Sequence, residues 1–285
     1  MNFFKLIFLI DFFNRFLKLT KKKTANQSNS LKKITIFIFK IIQSTYYRGY
    51  KLKILDLSHT LEDKMPVFPQ DPDFSIDEIL NSEKDGVTLS LIKMGLHAGT
   101  HIDSPYHFYS EGKKINEIEL DTLIGPIKLI DATNNLSNSI NSSENLSKDN
   151  LNPLNGNSKR EIDISLFKNV EKGDIVIIKT GWSKNWGLSN YFTQNPYLSD
   201  ESAEFLIKKQ IIGLGIDSPS VDTLEETSVH EKLLHNDIWI IENLKNLELV
   251  PQCPDENLEF FCIPLPLKCE ASPVRAFIRL NNNEN

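Results

Sequence analysis

Three short stretches of almost unbroken apolar residues constrain this chain more than anything else in it: "GDIVIIKTGW" from Gly173, "IIGLGID" from Ile211 and "DIWIIE" ending at Glu242. A run that is apolar at nearly every position has no face left for water, the mark of a strand covered on both sides. Between the first two, "LSDESAEFLIKKQ" predicts a helix: Ser199 is its N-cap, acids fill the first turn and two lysines the last. Between the second and third, "HEKLLHND" reads as a short turn or helix. Upstream, "KILDLSHTL", "GVTLSLIKMGLHAGTHID" and "IGPIKLIDAT" are strand candidates, and "PVFPQDPDF" is a proline-punctuated loop. Strands outnumber helices and their order is mixed, which predicts an α+β fold, a strand-rich mixed sheet with flanking helices, rather than a doubly wound sheet.

At 285 residues and 40% hydrophobic content the chain can bury one substantial core, or at most two modest ones. With 32 basic residues against 38 acidic ones it lacks the basic excess of a nucleic-acid binder. Cys253, Cys262 and Cys269 are an odd set with no CxxC pair, so neither a disulfide framework nor a thiolate zinc site is expected. A metal here would be held by imidazole and carboxylate.

Residues 1–50 have a different texture. "MNFFKLIFLIDFF" is interrupted by Lys5 and Asp11, and its apolar runs fall short of the roughly twenty residues that span a bilayer. The region is basic and nearly free of acid, as in an organelle-targeting presequence, and no A-x-A-like cleavage site follows it. The expectation is an extension outside the catalytic fold at 1–50, a domain at 51–285, and a cytoplasmic protein, with a targeting or secretory signal left open. Residues 133–159 are dominated by Asn and Ser, too polar to offset the entropy of ordering, and are expected to form a mobile surface insertion.

The chemistry concentrates in "HAGTHIDSPYHF", His97 to Phe108, which holds three of the six histidines. If His97 to Asp103 is extended, His97, Gly99, His101 and Asp103 share a face, and Gly99 leaves a gap between two imidazoles. A helix would bring the two histidines together but not Asp103, and Gly99 and Pro105 both oppose it. Two imidazoles and a carboxylate suit a borderline divalent ion, Zn²⁺ first, with Mn²⁺ or Fe²⁺ as alternatives. Three protein ligands leave a coordination position open, the catalytic pattern. Spacing alone leaves His107 as a ligand, a general acid/base or a surface histidine. Glu242 closes a buried run, where a carboxylate is costly unless paired or metal-bound. His230, in "SVHEKLL", reads by itself as an ordinary surface residue. His59 and His235 carry no assignment. Asp217 is a candidate for orienting a ligand, while Asp222 and Glu231 are undecided.

With these residues in hand, the chain from about Leu55 to Leu280 resembles the cyclase-like family of metal-dependent hydrolases, which includes the bacterial-type kynurenine formamidases (arylformamidases). The resemblance rests on "HAGTHIDSPYHF", "GDIVIIKTGW", "NPYLSDESAEFLIKKQIIGLGIDSPSVD", "HEKLLHNDIWIIENLKNL" and "SPVRAFIRL", in family order. It implies a swivelling β/β/α domain, a homodimer or homotetramer, and a site for two divalent ions, zinc or manganese. By the same resemblance His97, His101 and Asp103 hold the first ion, Asp103 and Glu242 bridge, and His230 completes the second. His107 falls at the position of the proton donor/acceptor. Phe68 falls where formamidases commonly place an aromatic substrate contact, often tryptophan. The acidic-glycine pair usual before "SPVRA" reads Glu270-Ala271 here. The implied activity is hydrolysis of a small-molecule amide by a metal-activated water: N-formyl-L-kynurenine to L-kynurenine and formate. The alternatives are another or cyclic amide such as isatin, or a catalytically silent binding role.

Overall fold

The computed structural model describes residues 53–137, 160–251 and 258–280. Among them the strands are β1 (Lys53–Asp56), β2 (Ser75–Leu80), β3 (Leu89–Lys93), β4 (His101–Asp103), β5 (Ile124–Asp131), β6 (Ile175–Lys179), β7 (Gly213–Ile216), β8 (Trp239–Glu242), β9 (Leu258–Phe261), β10 (Ala271–Pro273) and β11 (Phe277–Leu280). The α-helices are α1 (Ser82–Asp85), α2 (Thr133–Ser137), α3 (Asp200–Lys209) and α4 (Ser228–His235). Nine strands form one sheet in the order β1-β11-β9-β5-β6-β7-β8-β4-β10, while β2 and β3 make a separate hairpin.

The three apolar runs become β6, β7 and β8, and they lie side by side and parallel, with β5 parallel beyond β6. Strand alternation divides their side chains between two cores. Val176, Ile178, Leu214, Ile216 and Ile240 pack with Leu206 of α3 and with Val229, Leu233 and Leu234 of α4. Ile175, Ile177, Trp239 and Ile241 face the other way, onto Leu55, Phe260 and Ile278 of the antiparallel strands. All five residues of β6 are buried, which explains why no polar alternation appears in its sequence. Burial of each such isoleucine contributes roughly 1.5–3 kcal/mol.

Gly213 serves this packing. It pairs with Trp239, and a Cβ on it would come within 2.1 Å of the indole. The helix read from "LSDESAEFLIKKQ" is α3: the Ser199 hydroxyl accepts from the Ser202 N–H, and Gln210 ends it in a left-handed conformation. The result is an α+β fold: a mixed, strand-rich sheet with α3 and α4 on one face.

Two expectations change at their edges. His97 to Asp103 is not one strand. Only His101–Asp103 is extended, and His97 lies in a turn closed by the Ala98 N–H on the Gly95 carbonyl. Gly99 has φ +67°, which breaks the extended register, so His97 does not reach the site by strand alternation. The Asn/Ser-rich stretch expected from 133 begins with α2, and 138–159 lies outside the described residues, as do 1–52.

Candidate metal centre

The strands β4 and β8 are antiparallel neighbours in a register that sets His101 opposite Glu242 and Asp103 opposite Ile240. Directly opposed residues share a face, and Asp103, two positions beyond His101, shares it too. The turn before β4 returns His97 to Asp103, with Nδ1 2.9 Å from Oδ1. On the far side α4 delivers His230, whose Nε2 lies 3.0 Å from Glu242 Oε1 and 3.8 Å from Asp103 Oδ2. His101 Nε2 lies 3.4 Å from Asp103 Oδ1 and 3.5 Å from Glu242 Oε2. Each carboxylate therefore turns one oxygen toward His101 and the other toward His230. His107 comes from the 3₁₀ turn Pro105–His107, with its ring 4.3 Å from that of His97 and 6.2 Å from that of His230.

Hydrogen bonds on the outer side decide which ring nitrogen faces inward. His101 Nδ1–H donates to the Gly99 carbonyl at 2.9 Å, so Nε2 is the nitrogen turned toward the carboxylates. His230 Nδ1–H donates to Asp222 Oδ2 at 2.6 Å, with the same consequence. Asp222 also accepts the backbone N–H groups of Val229 and His230, in the first turn of α4, and so fixes helix and ring together.

This donor set fits a cation. His101 Nε2 and both Asp103 oxygens are buried without a hydrogen-bond partner among the described residues, because even the 2.9 Å approach of His97 is not aligned as one. Acceptors facing acceptors in a buried site repel unless protons or a cation lie between them. Imidazole and carboxylate together match zinc or manganese chemistry. One ligand atom each from His101, Asp103 and Glu242 lie within 4.8 Å of one another, as do those of His97, Asp103 and His107.

Charge within the cluster is strongly coupled. Burial pushes the His97 imidazole down, but Asp103 overrides it and lifts the pKa to about 9. Burial acts the same way on His230, and Glu242 and Asp222 override it to reach about 10. Burial would raise Asp103, yet His97 and His101 hold its carboxyl well below the usual range. His107 differs: burial lowers it to about 4, Asp103 opposes that, and His97 and His230 add to it.

Asp222, undecided from the sequence, is the residue that orients His230. Asp217, the earlier candidate, instead accepts from the Thr180 N–H and hydroxyl and the Gly181 N–H. Only the packing of α4 against the loop after β7 reveals the difference. Phe68 meets Phe192 edge-on at 5.7 Å. His59 stacks on Trp186 at 4.0 Å, and His235 lies exposed against Tyr109. The Glu270-Ala271 pair has a structural place: Ala271 sits opposite Asp103, and the Glu270 carbonyl takes both the N–H and the hydroxyl of Ser104.

The profile of the family described as "Putative cyclase" matches residues 55–223. The chain belongs to this cyclase family. A kynurenine formamidase of Bacillus anthracis is 31% identical over 232 residues, covering 80% of this chain and 97% of the relative. A structure described as a predicted metal-dependent hydrolase from Bacillus stearothermophilus is 28% identical with TM-score 0.60, covering 80% of this chain and 98% of its own. Isatin hydrolase A from Labrenzia aggregata, bound to benzyl benzoate, superposes with TM-score 0.69 over 86% of this cyclase-family chain and 99% of its own. At 22% identity that likeness speaks for the fold alone.

Proposed function

We propose that this protein hydrolyses N-formyl-L-kynurenine to L-kynurenine and formate at a centre of two divalent cations, zinc first and manganese second. One observation carries the reading: Asp103 and Glu242 each span from His101 to His230, so either carboxylate could serve two cations. In this reading His97, His101 and Asp103 would hold one cation and His230 the other, with Asp103 and Glu242 available to both. When bound, the cations supply Lewis acidity that brings a water's pKa from 15.7 toward about 7 and polarises the substrate carbonyl.

The chain's own residues do the rest. Asp222 and the Gly99 carbonyl keep His230 and His101 in the tautomer that offers Nε2. With its pKa lowered to about 4, His107 is neutral at pH 7 and begins as a proton acceptor. It takes a proton from the attacking water and passes it to the leaving nitrogen as the C–N bond breaks, giving amine and formate. Phe68 and Phe192 supply an aromatic surface for the aryl ring.

The kynurenine formamidase relative, matched over nearly its whole length, supports this substrate. Isatin is the second amide to assay, because Phe68 stands where formamidases commonly carry tryptophan. The exposed apolar residues Ile76, Leu89, Leu91 and Ile92 of the β2–β3 hairpin support a homodimer or larger assembly. No helix among the described residues is long and apolar enough to cross a membrane. The deciding assay offers both amides to the purified full chain, before and after chelation. Release of formate from N-formyl-L-kynurenine that stops on chelation and returns with zinc or manganese is expected; preference for isatin would move the reading to a cyclic amidase.

A further inference from the structure

A buried hydrogen-bond chain leads from the metal centre to the loop that carries Trp186 and Phe192. Its middle member is Asn243, which directly follows Glu242. At φ +57° Asn243 is left-handed, a conformation asparagine tolerates, and it turns the backbone sharply at the end of β8. Its amide is thereby folded back over the segment that holds His97 and His101.

The partners dictate how that amide is oriented. The Gly99 carbonyl can only accept, so it faces Asn243 Nδ2, 3.0 Å away. Oδ1 then faces the Tyr191 hydroxyl, which donates at 2.8 Å. Gly99 O is thus held from two sides, by Asn243 Nδ2–H and by His101 Nδ1–H. The main chain of Asn243 is tied as well: its N–H donates to Ser218 O, and its carbonyl accepts the Thr100 hydroxyl at 2.6 Å. One residue joins both ligand-bearing segments. Tyr191 extends the chain outward, fully buried and edge-on to both Trp186 and Phe192.

We propose that Asn243 and Tyr191 are positioning residues for the metal centre: by clamping the Gly99 carbonyl they fix the tautomer and angle of the His101 ring, and they couple it to the aromatic loop. The proposal rests on the metal-centre reading above. The side-chain hydrogen bonds of both residues go to Gly99 and to each other rather than to the clustered imidazoles and carboxylates, so the effect must pass through the geometry of His101 Nε2. Partners of this outer kind commonly change metal affinity by 10–100-fold.

The test uses cobalt(II) on the full chain, with affinity measured against a competing chelator and ligand geometry read from the visible absorption of the bound ion. Tyr191→Phe keeps the ring and removes only the donor; Asn243→Gly keeps the left-handed backbone and removes the amide. Expected are an affinity loss of about tenfold for the first and up to about a hundredfold for the second, each with a shifted cobalt spectrum. The double variant should bind no more weakly than Asn243→Gly alone, because both act on one carbonyl. Wild-type affinity and spectrum in Tyr191→Phe, or losses that simply add, would overturn the clamp. Should Asn243→Gly fail to fold, Tyr191→Phe decides by itself. A wild-type protein that gives no cobalt spectrum would sink the metal reading itself, and this proposal with it.

Discussion

His101 and Glu242 face each other across antiparallel neighbours, with Nε2 3.5 Å from Oε2, although 141 residues separate them in the chain. The pairing register makes that meeting, and a slip of one residue in either strand would turn that strand's side chain to the opposite face, away from its partner. It follows that Glu242→Gln, which preserves shape and removes the charge, should leave the fold intact and strip metal from the site. Metal analysis with circular dichroism checks this; wild-type metal content in a folded variant would contradict it.

His107 is read as a proton carrier rather than a ligand. Replacing it with alanine should leave metal content unchanged while kcat falls by roughly 10²–10⁴. Loss of metal in that variant would instead make His107 a ligand, alongside the His97 and Asp103 atoms within 4.8 Å of it.

Asp222→Asn tests the orientation of His230. The carboxylate takes the Nδ1–H of the ring at 2.6 Å and two backbone N–H groups of α4. An amide keeps one acceptor and turns a donor toward the others, so metal affinity should fall by about 10–100-fold. Competition against a chelator gives the number, and an unchanged affinity would mean that the ring is held by packing alone.

The metal-free protein should show a particular pH dependence. His97 and His230 rise from 6.5 to about 9 and about 10 in the fold. Groups raised in this way stabilise the fold fully below pH 6.5, and that stability is lost as pH climbs through the folded values. Thermal unfolding with chelator present should therefore fall in Tm across the alkaline range, whereas saturating zinc should flatten the fall. Zinc binding near neutral pH should also release protons, because ligating imidazoles are neutral. Calorimetry in buffers of different ionisation enthalpy measures that release, and none would mean that metal does not displace protons from these imidazoles.

How much of this was legible in the sequence depends on how local each feature is. Unbroken apolar runs announced β6, β7 and β8, because burial on both faces leaves no polar alternation to obscure them. Ser199 and the charges around it announced α3. Glu242 was legible as a carboxylate at the end of a buried run. The route of His97 was not, because the positive φ of Gly99 replaces strand alternation with a turn. The structural role of His230 depends on where α4 packs, and Asp222 on a loop that caps that helix. Asn243 and Tyr191 bond across separations of 144 and 52 residues, which leave no periodicity to read.

Fold stability offers a check independent of metal. A Cβ on Gly213 would lie 2.1 Å from the Trp239 indole, which is buried. Gly213→Ala should cost roughly 1–3 kcal/mol from overpacking, read as a lowered denaturant midpoint. An unchanged midpoint would show that β7 and β8 are less tightly apposed than described.

The central claim is that one chain gathers its imidazoles and carboxylates around a pair of divalent cations. Metal analysis of the purified full-length protein, paired with formate release from N-formyl-L-kynurenine before and after chelation, tests it most directly. About two equivalents of zinc or manganese per chain, with activity lost and restored together with them, is the expected result. Full turnover by protein stripped of metal would contradict it.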